Sequence, residues 1–234
     1  MDKVVLRDLD GVKVGFSGKK LGSVQILDRE VNAEFEEFIS HFPAKIVYDM
    51  PAVGKDHVIR VDGLTPEQVW GTEADALITE NPDVLLTLRA ADCIPVVFYV
   101  PGQKILGLAH VGTSGAVLHL PRQTLQKMNV RPEEVKVYVG PSISKESYRF
   151  PPDYNLGEKG LNPSWDKYIS RQNDEIHIDL LGYVIDELKT SGVKSVNIQS
   201  ENIDTGADAD YFSHRRHRLT GETSGRNAIG VTLI

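Results

Sequence analysis

Short apolar runs separated by turn residues dominate the first part of the chain, and this pattern predicts β-strands. The clearest pair is Ile94–Val100 and Ile105–Ala109, joined through Pro101-Gly102, a dipeptide typical of a turn. We therefore expect an antiparallel hairpin here. Further strands are predicted at Lys3–Leu6, Val12–Phe16, Ile46–Tyr48, Val58–Val61, Leu85–Leu88, Val135–Val139 and Val196–Gln199.

Apolar residues recur at the spacing of an amphipathic helix in other segments. Residues 32–42 begin with Asn32, which is typical of helix N-caps. Residues 179–192 begin with Asp179 and end in a glycine, which predicts a capped helix with a defined end. Another helix is predicted over residues 116–128. Because strands and helices do not follow a regular βαβ order, the sequence favours an α+β architecture of mixed β-sheets packed with helices.

The composition is that of an ordinary globular protein. Of the 234 residues, 41% are hydrophobic and 25% are charged, which is typical of a soluble domain. The sequence contains no internal repeat, no low-complexity tract and no linker rich in Pro, Gly and Ser. We therefore expect a single domain over residues 1–234.

Charge and cysteine content restrict the partners and the compartment. The net charge of −7 argues against a general nucleic-acid or membrane-surface role, so we expect neither as a partner. No segment approaches the roughly 18 apolar residues that span a bilayer. The first residues, MDKVVLRDLDGVKV, are charged from the second position and are unlike a signal peptide. Because Cys93 is the only cysteine, we expect a reducing, cytoplasmic location.

Cys93 and His110 occupy the two ends of the predicted hairpin. Each lies about eight residues from the turn, so antiparallel pairing places them close together at the open end. A thiolate beside an imidazole suits two chemistries, either two ligands of a Zn²⁺ ion or a cysteine nucleophile with a histidine base. A buried cysteine next to a structural histidine is the third interpretation.

His57 is the candidate for a further metal ligand. A catalytic zinc site has three protein ligands and one open position. Cys93, His110 and His57 would supply one cysteine and two histidines. An ordinary loop histidine just before the strand Val58–Val61 explains the position of His57 equally well.

Four residues are candidates for binding an anionic or aromatic substrate. Lys19 lies in a small basic loop that contains glycine, and Arg215 and Arg216 lie in a dense basic cluster near the C-terminus. A guanidinium binds phosphate or carboxylate through two parallel hydrogen bonds. Tyr148 lies at the end of a loop. The alternatives are a solvated surface for Lys19, a structural ion-pair cluster for the arginines and packing for Tyr148.

Several common catalytic motifs are absent from the sequence. There is no GxxxxGK[ST] phosphate-binding loop, no GxGxxG and no GxSxG. A single cysteine cannot satisfy the PCxxC arrangement of the cytidine-type zinc deaminases. Seven scattered histidines without an HxH pair also argue against multicopper oxidase chemistry.

Several segments resemble one known family, in the same order along the chain. The run 73-EADALITENPDVLLTLRAADCIPVVF-98 resembles the ADALVT…TADCLPV signature of the bacterial YfiH-type laccase-domain proteins, also named polyphenol oxidases. The segments similar to VHAGWRG, GPAIGPCCYEV and FFSYRR…TGR of that family are 108-LAHVGTSG-115, 140-GPSISKESYRF-150, and 211-YFSHRR-216 with 224-SGR-226. Together these matches are much more specific than any one alone.

The resemblance implies a single α+β domain with a zinc site formed by two histidines and one cysteine. Despite the oxidase name, it also implies purine nucleoside chemistry. This chemistry is phosphorolysis of adenosine, inosine or methylthioadenosine, with inorganic phosphate as co-substrate, and deamination of adenosine. The family's cysteine falls on Cys93, and one of its histidines falls on His110. Its substrate- and phosphate-binding positions fall on Lys19, Tyr148, Arg215 and Arg216.

The chain departs from the family's pattern at several of these positions. The first metal histidine of the family aligns with Gly54, three residues before His57. His57 can therefore be a ligand only if the loop is rearranged. Thr113 and Ser114 replace a tryptophan and an arginine, and Lys19 replaces an arginine, whose planar fork a lysine lacks.

Three hypotheses follow. The first is a zinc-dependent purine nucleoside phosphorylase or adenosine deaminase, in which zinc activates a water molecule and Asp92 shuttles a proton. Its partner is a small-molecule purine nucleoside. The second is a metal-free enzyme with Cys93 as nucleophile and His110 as base. The third is a non-catalytic member of the family that binds a small ligand.

Overall fold

The computed structural model of the chain describes residues 2–27 and 30–234, and β-strands form the centre of the fold. The strands of the first part are β1 (Val4–Leu9), β2 (Val12–Ser17), β3 (Ile26–Leu27), β4 (Glu30–Val31), β5 (Ile46–Asp49), β6 (Val58–Arg60), β7 (Ala76–Thr79) and β8 (Val84–Ala90). Those that follow are β9 (Ile94–Val100), β10 (Ile105–Val111), β11 (Lys136–Val139), β12 (Arg149–Phe150), β13 (Ile169–Gln172), β14 (Glu175–Ile178), β15 (Ile198–Ser200) and β16 (Asn227–Leu233).

The helices are short. They are α1 (Ala33–Ile39), α2 (Pro66–Trp70), α3 (Thr113–Val117), α4 (Leu120–Met128), α5 (Leu180–Thr190) and α6 (His214–Thr220), with 3₁₀ turns at Pro132–Glu134, Leu156–Lys159, Pro163–Tyr168 and Ser195–Asn197. Asn32 caps α1 by accepting from Phe35 N at 3.2 Å, and Asp179 caps α5 by accepting from Gly182 N at 2.8 Å, as the sequence predicts. Within the described ranges, no helix has the length and apolar character needed to cross a membrane.

Two large sheets with mixed strand directions carry the core. The first has the strand order β1-β2-β16-β8-β5, and the second has the order β15-β11-β9-β10-β7-β6. The pairs β5–β8, β6–β7 and β11–β15 are parallel, whereas β9–β10 and β2–β16 are antiparallel. The predicted α+β architecture of mixed sheets packed with helices is therefore confirmed.

Side chains on alternate positions of the strands fill two layers of core. Leu86 of β8 packs with Val97 of β9 and Leu108 of β10 in a cluster between the two large sheets. Phe98 belongs to the other face of β9 and shares a second cluster with Leu125 of α4. Because β9 and β10 are covered on both faces, nearly all of their residues are apolar.

The predicted hairpin is confirmed. Strands β9 and β10 pair from Ile105 opposite Val100 at the turn to Val111 opposite Ile94 at the open end. The end of β8 pairs with the start of β16, and only three residues separate β8 from β9. The open end of the hairpin therefore lies where several strand ends meet.

The predicted helix over residues 116–128 is instead two helices, α3 and α4. His119 has a left-handed φ of 60° and separates them. Its Nδ1 lies 2.7 Å from Oε1 of the buried Glu187 on α5. This contact between distant parts of the chain fixes the break, and the local sequence pattern contains no sign of it.

The C-terminal strand β16 has no counterpart among the predicted strands, although every residue in it is buried. Polar residues interrupt its apolar pattern, but their hydrogen bonds are satisfied inside the protein. Asn227 donates to the carbonyls of Ala90 and Phe212, and Thr232 donates to the carbonyl of Val84. A buried strand with satisfied polar groups is hard to recognise from periodicity alone.

Candidate functional site

Cys93 and His110, called here the hairpin pair, lie at the open end of the β9–β10 hairpin. His110 is opposite Pro95, so Cys93 is level with Gly112, and the two side chains are diagonal neighbours on one face. The glycine leaves room for the thiol, because a Cβ at position 112 would lie 3.0 Å from Cys93 Sγ. Both side chains border the same two cavities, so the hairpin brings them together.

The members of the hairpin pair shift each other's pKa. Burial raises the pKa of Cys93, but the adjacent imidazole outweighs it and holds the thiol below its ordinary value. Burial lowers the pKa of His110, but Cys93 and Asp75 raise it well above the ordinary value of histidine. The two side chains therefore favour a thiolate beside an imidazolium more than either would in isolation.

Asp75 anchors the loop beside His110. Its carboxylate is fully buried and accepts the backbone N–H groups of Val53, Gly54 and Lys55 at 3.1, 2.8 and 2.8 Å. Asp75 Oδ1 also lies 3.7 Å from His110 Nδ1, a buried nitrogen without a hydrogen-bond partner in the described ranges. Burial raises the pKa of Asp75, but His110 and the backbone donors outweigh it and keep the carboxylate ionised.

His57 does not join the hairpin pair, so this geometry gives no support to its expected role as a metal ligand. Its side chain is half exposed, and its Nδ1 lies 3.9 Å from Glu73 Oε2. It borders a separate surface cavity together with Gln123 and Lys127. The physical reason is that Asp75 binds the backbone N–H groups of residues 53–55 and so fixes the loop that precedes His57.

Gly54 borders the cavity of the hairpin pair instead. Its φ is +75°, and a Cβ built on it would meet no atom within 4 Å, so the space beside it is open. Over residues 2–27 and 30–234, no group of three or more His, Cys, Asp or Glu side chains is arranged to hold a metal ion. The hairpin pair supplies one ligand fewer than a catalytic zinc site requires. The residues present therefore do not fit zinc.

The zinc content of the purified chain tests this conclusion. We expect well under one zinc per chain, since two donors hold the ion weakly. A Gly54→His variant places a third donor in the open space and is expected to raise the affinity. Metal analysis and competition with a coloured chelator measure both quantities. One tightly bound zinc in the unmodified chain, absent from His110→Gln, would contradict the conclusion.

Both carboxylate oxygens of Asp92 accept structural hydrogen bonds from the protein. Its Oδ1 accepts from the hydroxyl of Thr205 at 2.9 Å, and its Oδ2 accepts from the backbone N–H of Arg215 at 2.6 Å. The residue is buried and has a left-handed φ of 90°. It thus links the turn before β9 to the first turn of α6, and the expected proton shuttle has no support in this geometry.

A cavity of about 440 Å³ borders the hairpin pair and has an aromatic wall. The ring centroid of Phe150 lies 4.4 Å from that of Tyr154 and 5.0 Å from that of Tyr148. The Arg215 guanidinium lies 4.2 Å from the Phe150 centroid, and the hydroxyls of Tyr148 and Thr113 are 2.7 Å apart. We call this space the aromatic cavity. It brings Tyr148 and Arg215 together with the hairpin pair.

Lys19 and Arg216 lie away from the aromatic cavity and are tied to Glu222. Lys19 Nζ is 3.1 Å from one carboxylate oxygen of Glu222, and Arg216 Nε is 2.9 Å from the other. Arg216 also donates to the carbonyls of Thr205 and Gly206 at 2.7 and 3.0 Å. These contacts hold the segment before α6 and leave the expected phosphate-binding role of both side chains without support.

A family model described as "Multi-copper polyphenol oxidoreductase laccase" matches residues 27–234. The chain belongs to this family. A solved structure, the hypothetical protein YfiH of Bacillus licheniformis, shares the fold with a TM-score of 0.79 and 21% sequence identity, covering 98% of this chain and 99% of the other. The resemblance drawn from the motifs is therefore confirmed.

Two curated relatives carry the name of a nucleoside enzyme. A purine nucleoside phosphorylase of Deinococcus radiodurans is 29% identical over 72% of this chain and 65% of its own length. A purine nucleoside phosphorylase of Rickettsia prowazekii is 27% identical over 82% of this chain and 79% of its own length. The match thus spans slightly less than two thirds of the Deinococcus relative.

Sequence reasoning missed several residues that border or support the site. Asp75 lies in the segment of residues 73–98 that carries the family resemblance. The spacing of the residues there gives no sign of the loop that Asp75 anchors. Phe150 and Tyr154 were detectable, because they follow Tyr148 in a short aromatic-rich segment. Arg89 borders one of the two cavities of the hairpin pair. It was also detectable, because it is a charged residue inside the apolar strand β8.

Proposed function

We propose that the chain cleaves purine nucleosides by phosphorolysis at the hairpin pair, without a three-ligand zinc. One observation carries the proposal: the hairpin pair borders the aromatic cavity in a chain whose relatives are named purine nucleoside phosphorylases. Inosine, adenosine and methylthioadenosine are the expected substrates, and inorganic phosphate is the co-substrate.

The aromatic cavity suits a purine. Its volume of about 440 Å³ falls within the range of small-molecule sites. A planar base can stack on the wall of Phe150 and Tyr154, and such stacking contributes about 1–3 kcal/mol per base. The hydroxyls of Tyr148 and Thr113 can each donate or accept a hydrogen bond at the edge of the base.

The proposed reaction needs a nucleophile and an acid. A phosphate oxygen bonds to C1′ of the ribose while the C1′–N9 bond breaks, and its electron pair moves onto the purine. His110 gives a proton to the departing purine, which makes it a better leaving group. The phosphate loses a proton after the transfer, and this proton restores His110. The products are the free purine and ribose 1-phosphate, or methylthioribose 1-phosphate when the substrate is methylthioadenosine.

Cys93 and Asp75 support His110 in this proposal. Both are anionic neighbours of the imidazole, so they stabilise its protonated form, which is the form that a general acid requires. Asp75 also fixes the loop next to the ring through its three backbone contacts. Deamination of adenosine is disfavoured here, because attack on C6 needs an activated water and the site lacks the ligands to hold zinc.

Product analysis tests the proposal. Purified chain is incubated with inosine, adenosine or methylthioadenosine, with and without phosphate. We expect free hypoxanthine or adenine together with ribose 1-phosphate, or methylthioribose 1-phosphate from methylthioadenosine, formed only with phosphate and much more slowly by His110→Gln. Base release that does not depend on phosphate, or conversion of adenosine to inosine, would contradict phosphorolysis. Thermal stabilisation by inosine without any product would mean that the chain binds nucleosides but does not cleave them.

A further inference from the structure

Two arginines border a second cavity, of about 570 Å³, that also touches the hairpin pair. Arg89 comes from β8, and Arg226 immediately precedes β16. The ring of Trp70 and the imidazole of His214 line the same space. None of the described residues that line it is acidic. We call this space the arginine cavity.

Arg89 is held in place but keeps donor capacity. Its Nη2 donates to Asp49 Oδ2 at 2.9 Å, and its guanidinium lies 5.8 Å from the Trp70 ring centroid. Its Nε is buried and has no hydrogen-bond partner in the described part of the chain. A single carboxylate contact leaves most of the five guanidinium N–H groups without a protein acceptor.

Arg226 is the more accessible of the two. Its side chain is exposed, and its Nη1 donates to the neighbouring carbonyl of Gly225 at 2.9 Å. Burial and the charge of Arg226 lower the pKa of His214, which places this guanidinium near the same wall of the cavity. No carboxylate contact of Arg226 is found in the described ranges, so its charge is available to a ligand.

We propose that Arg89 and Arg226 form the subsite for phosphate. The proposal rests on the phosphorolysis proposed above and assigns its two reactants to two cavities, the purine to the aromatic cavity and the phosphate to the arginine cavity. Two guanidiniums match a doubly charged oxyanion, which each can bind through parallel hydrogen bonds. Because the hairpin pair borders both cavities, phosphate held here lies next to the group that protonates the purine.

Lys19, Arg215 and Arg216 are less suited to this task. Lys19 and Arg216 share the single carboxylate of Glu222. Arg215 lies over the Phe150 ring in the aromatic cavity and donates to the carbonyl of Arg149. The arginine cavity differs from these positions in that it brings two guanidiniums to the hairpin pair, with no acidic residue among the described residues that line it.

Calorimetric titration of the full chain with inorganic phosphate tests the subsite independently of turnover. Arg89→Gln and Arg226→Gln are each expected to weaken phosphate binding by about tenfold or more, the scale of one lost charge-assisted contact. Arg131→Gln removes an exposed arginine that pairs with Glu134 and is expected to leave binding unchanged. The exposed Arg226 is the safer variant, since Arg89→Gln leaves Asp49 without its ion pair.

The possible outcomes separate this inference from the proposed function. The subsite is overturned if the unmodified chain and Arg226→Gln bind phosphate with equal affinity. It is also overturned if the affinity falls only in Arg215→Gln. Binding that depends on both arginines in a chain that never cleaves nucleosides supports the subsite while the proposed function fails. Where turnover is present, the KM for phosphate should rise in Arg226→Gln while the KM for inosine is unchanged.

A parallel titration with inosine 5′-monophosphate decides the source of the phosphate group. If this nucleotide binds more tightly than inorganic phosphate, and its binding depends on Arg226, the assignment to free phosphate is overturned.

Discussion

Replacing His110 with glutamine is expected to lower kcat for inosine phosphorolysis by about 10²–10⁴-fold, the usual contribution of a general acid. Glutamine keeps a polar side chain of similar length but has no proton to give to the leaving purine. The KM for inosine should change little, because the proposal places the purine in the aromatic cavity. Steady-state kinetics with free purine as the measured product gives both constants.

The matched control is His41→Gln, which changes an exposed histidine bonded to the carbonyl of Glu37. It should leave kcat unchanged, and the thermal midpoints of both variants should be close to that of the unmodified chain. A His110→Gln variant with full kcat would remove His110 from the reaction.

The pH dependence of the rate reports the charge of His110 directly. Although burial opposes it, Cys93 and Asp75 raise the pKa of His110 in the folded chain. The imidazolium is therefore present below this raised pKa and is lost as the pH rises through it. The rate should persist through neutral pH and fall only at alkaline pH, and Cys93→Ser should move the fall to lower pH. A fall at the same pH in both proteins would contradict the coupling.

Replacing Asp75 with alanine is expected to destabilise the fold by roughly 3 kcal/mol or more, since three hydrogen bonds to a charged group are lost and each contributes about 1.5–3 kcal/mol. The carboxylate accepts three backbone N–H groups of the loop over residues 53–55 and has no exposed surface. For a chain of this size, such a loss lowers the thermal midpoint by about 6–12 °C. Calorimetry or circular dichroism measures the shift.

Asp83→Ala is the control for this effect. Asp83 forms an exposed ion pair with Lys45 at 3.0 Å, and exposed pairs contribute about 0–1 kcal/mol. Its thermal midpoint should therefore stay close to that of the unmodified chain. Equal midpoints for the two variants would show that Asp75 does not anchor the loop.

The parts of the fold that depend on local pattern were predictable from the sequence. Strands β9 and β10 have long apolar runs and a clear turn, and the caps of α1 and α5 are visible as Asn32 and Asp179. The approach of Cys93 to His110 followed from the same hairpin, because register fixes which side chains are neighbours. The family followed from the order of motifs along the chain.

The parts that depend on distant contacts were not predictable in the same way. His57 is only three positions from Gly54, but the carboxylate of Asp75 decides which of them lies beside the hairpin pair. Lys19 and Arg216 lie in basic segments of the sequence, and only the fold reveals that both pair with the one carboxylate of Glu222. Charge patterns along a chain do not show which carboxylate faces which cation.

Phosphorolysis at the hairpin pair is proposed to need no zinc. The rate of ribose 1-phosphate formation from inosine and phosphate, before and after exhaustive treatment with a metal chelator, tests this. We predict the same rate in both samples. A rate that disappears on chelation and returns with added zinc would contradict the claim.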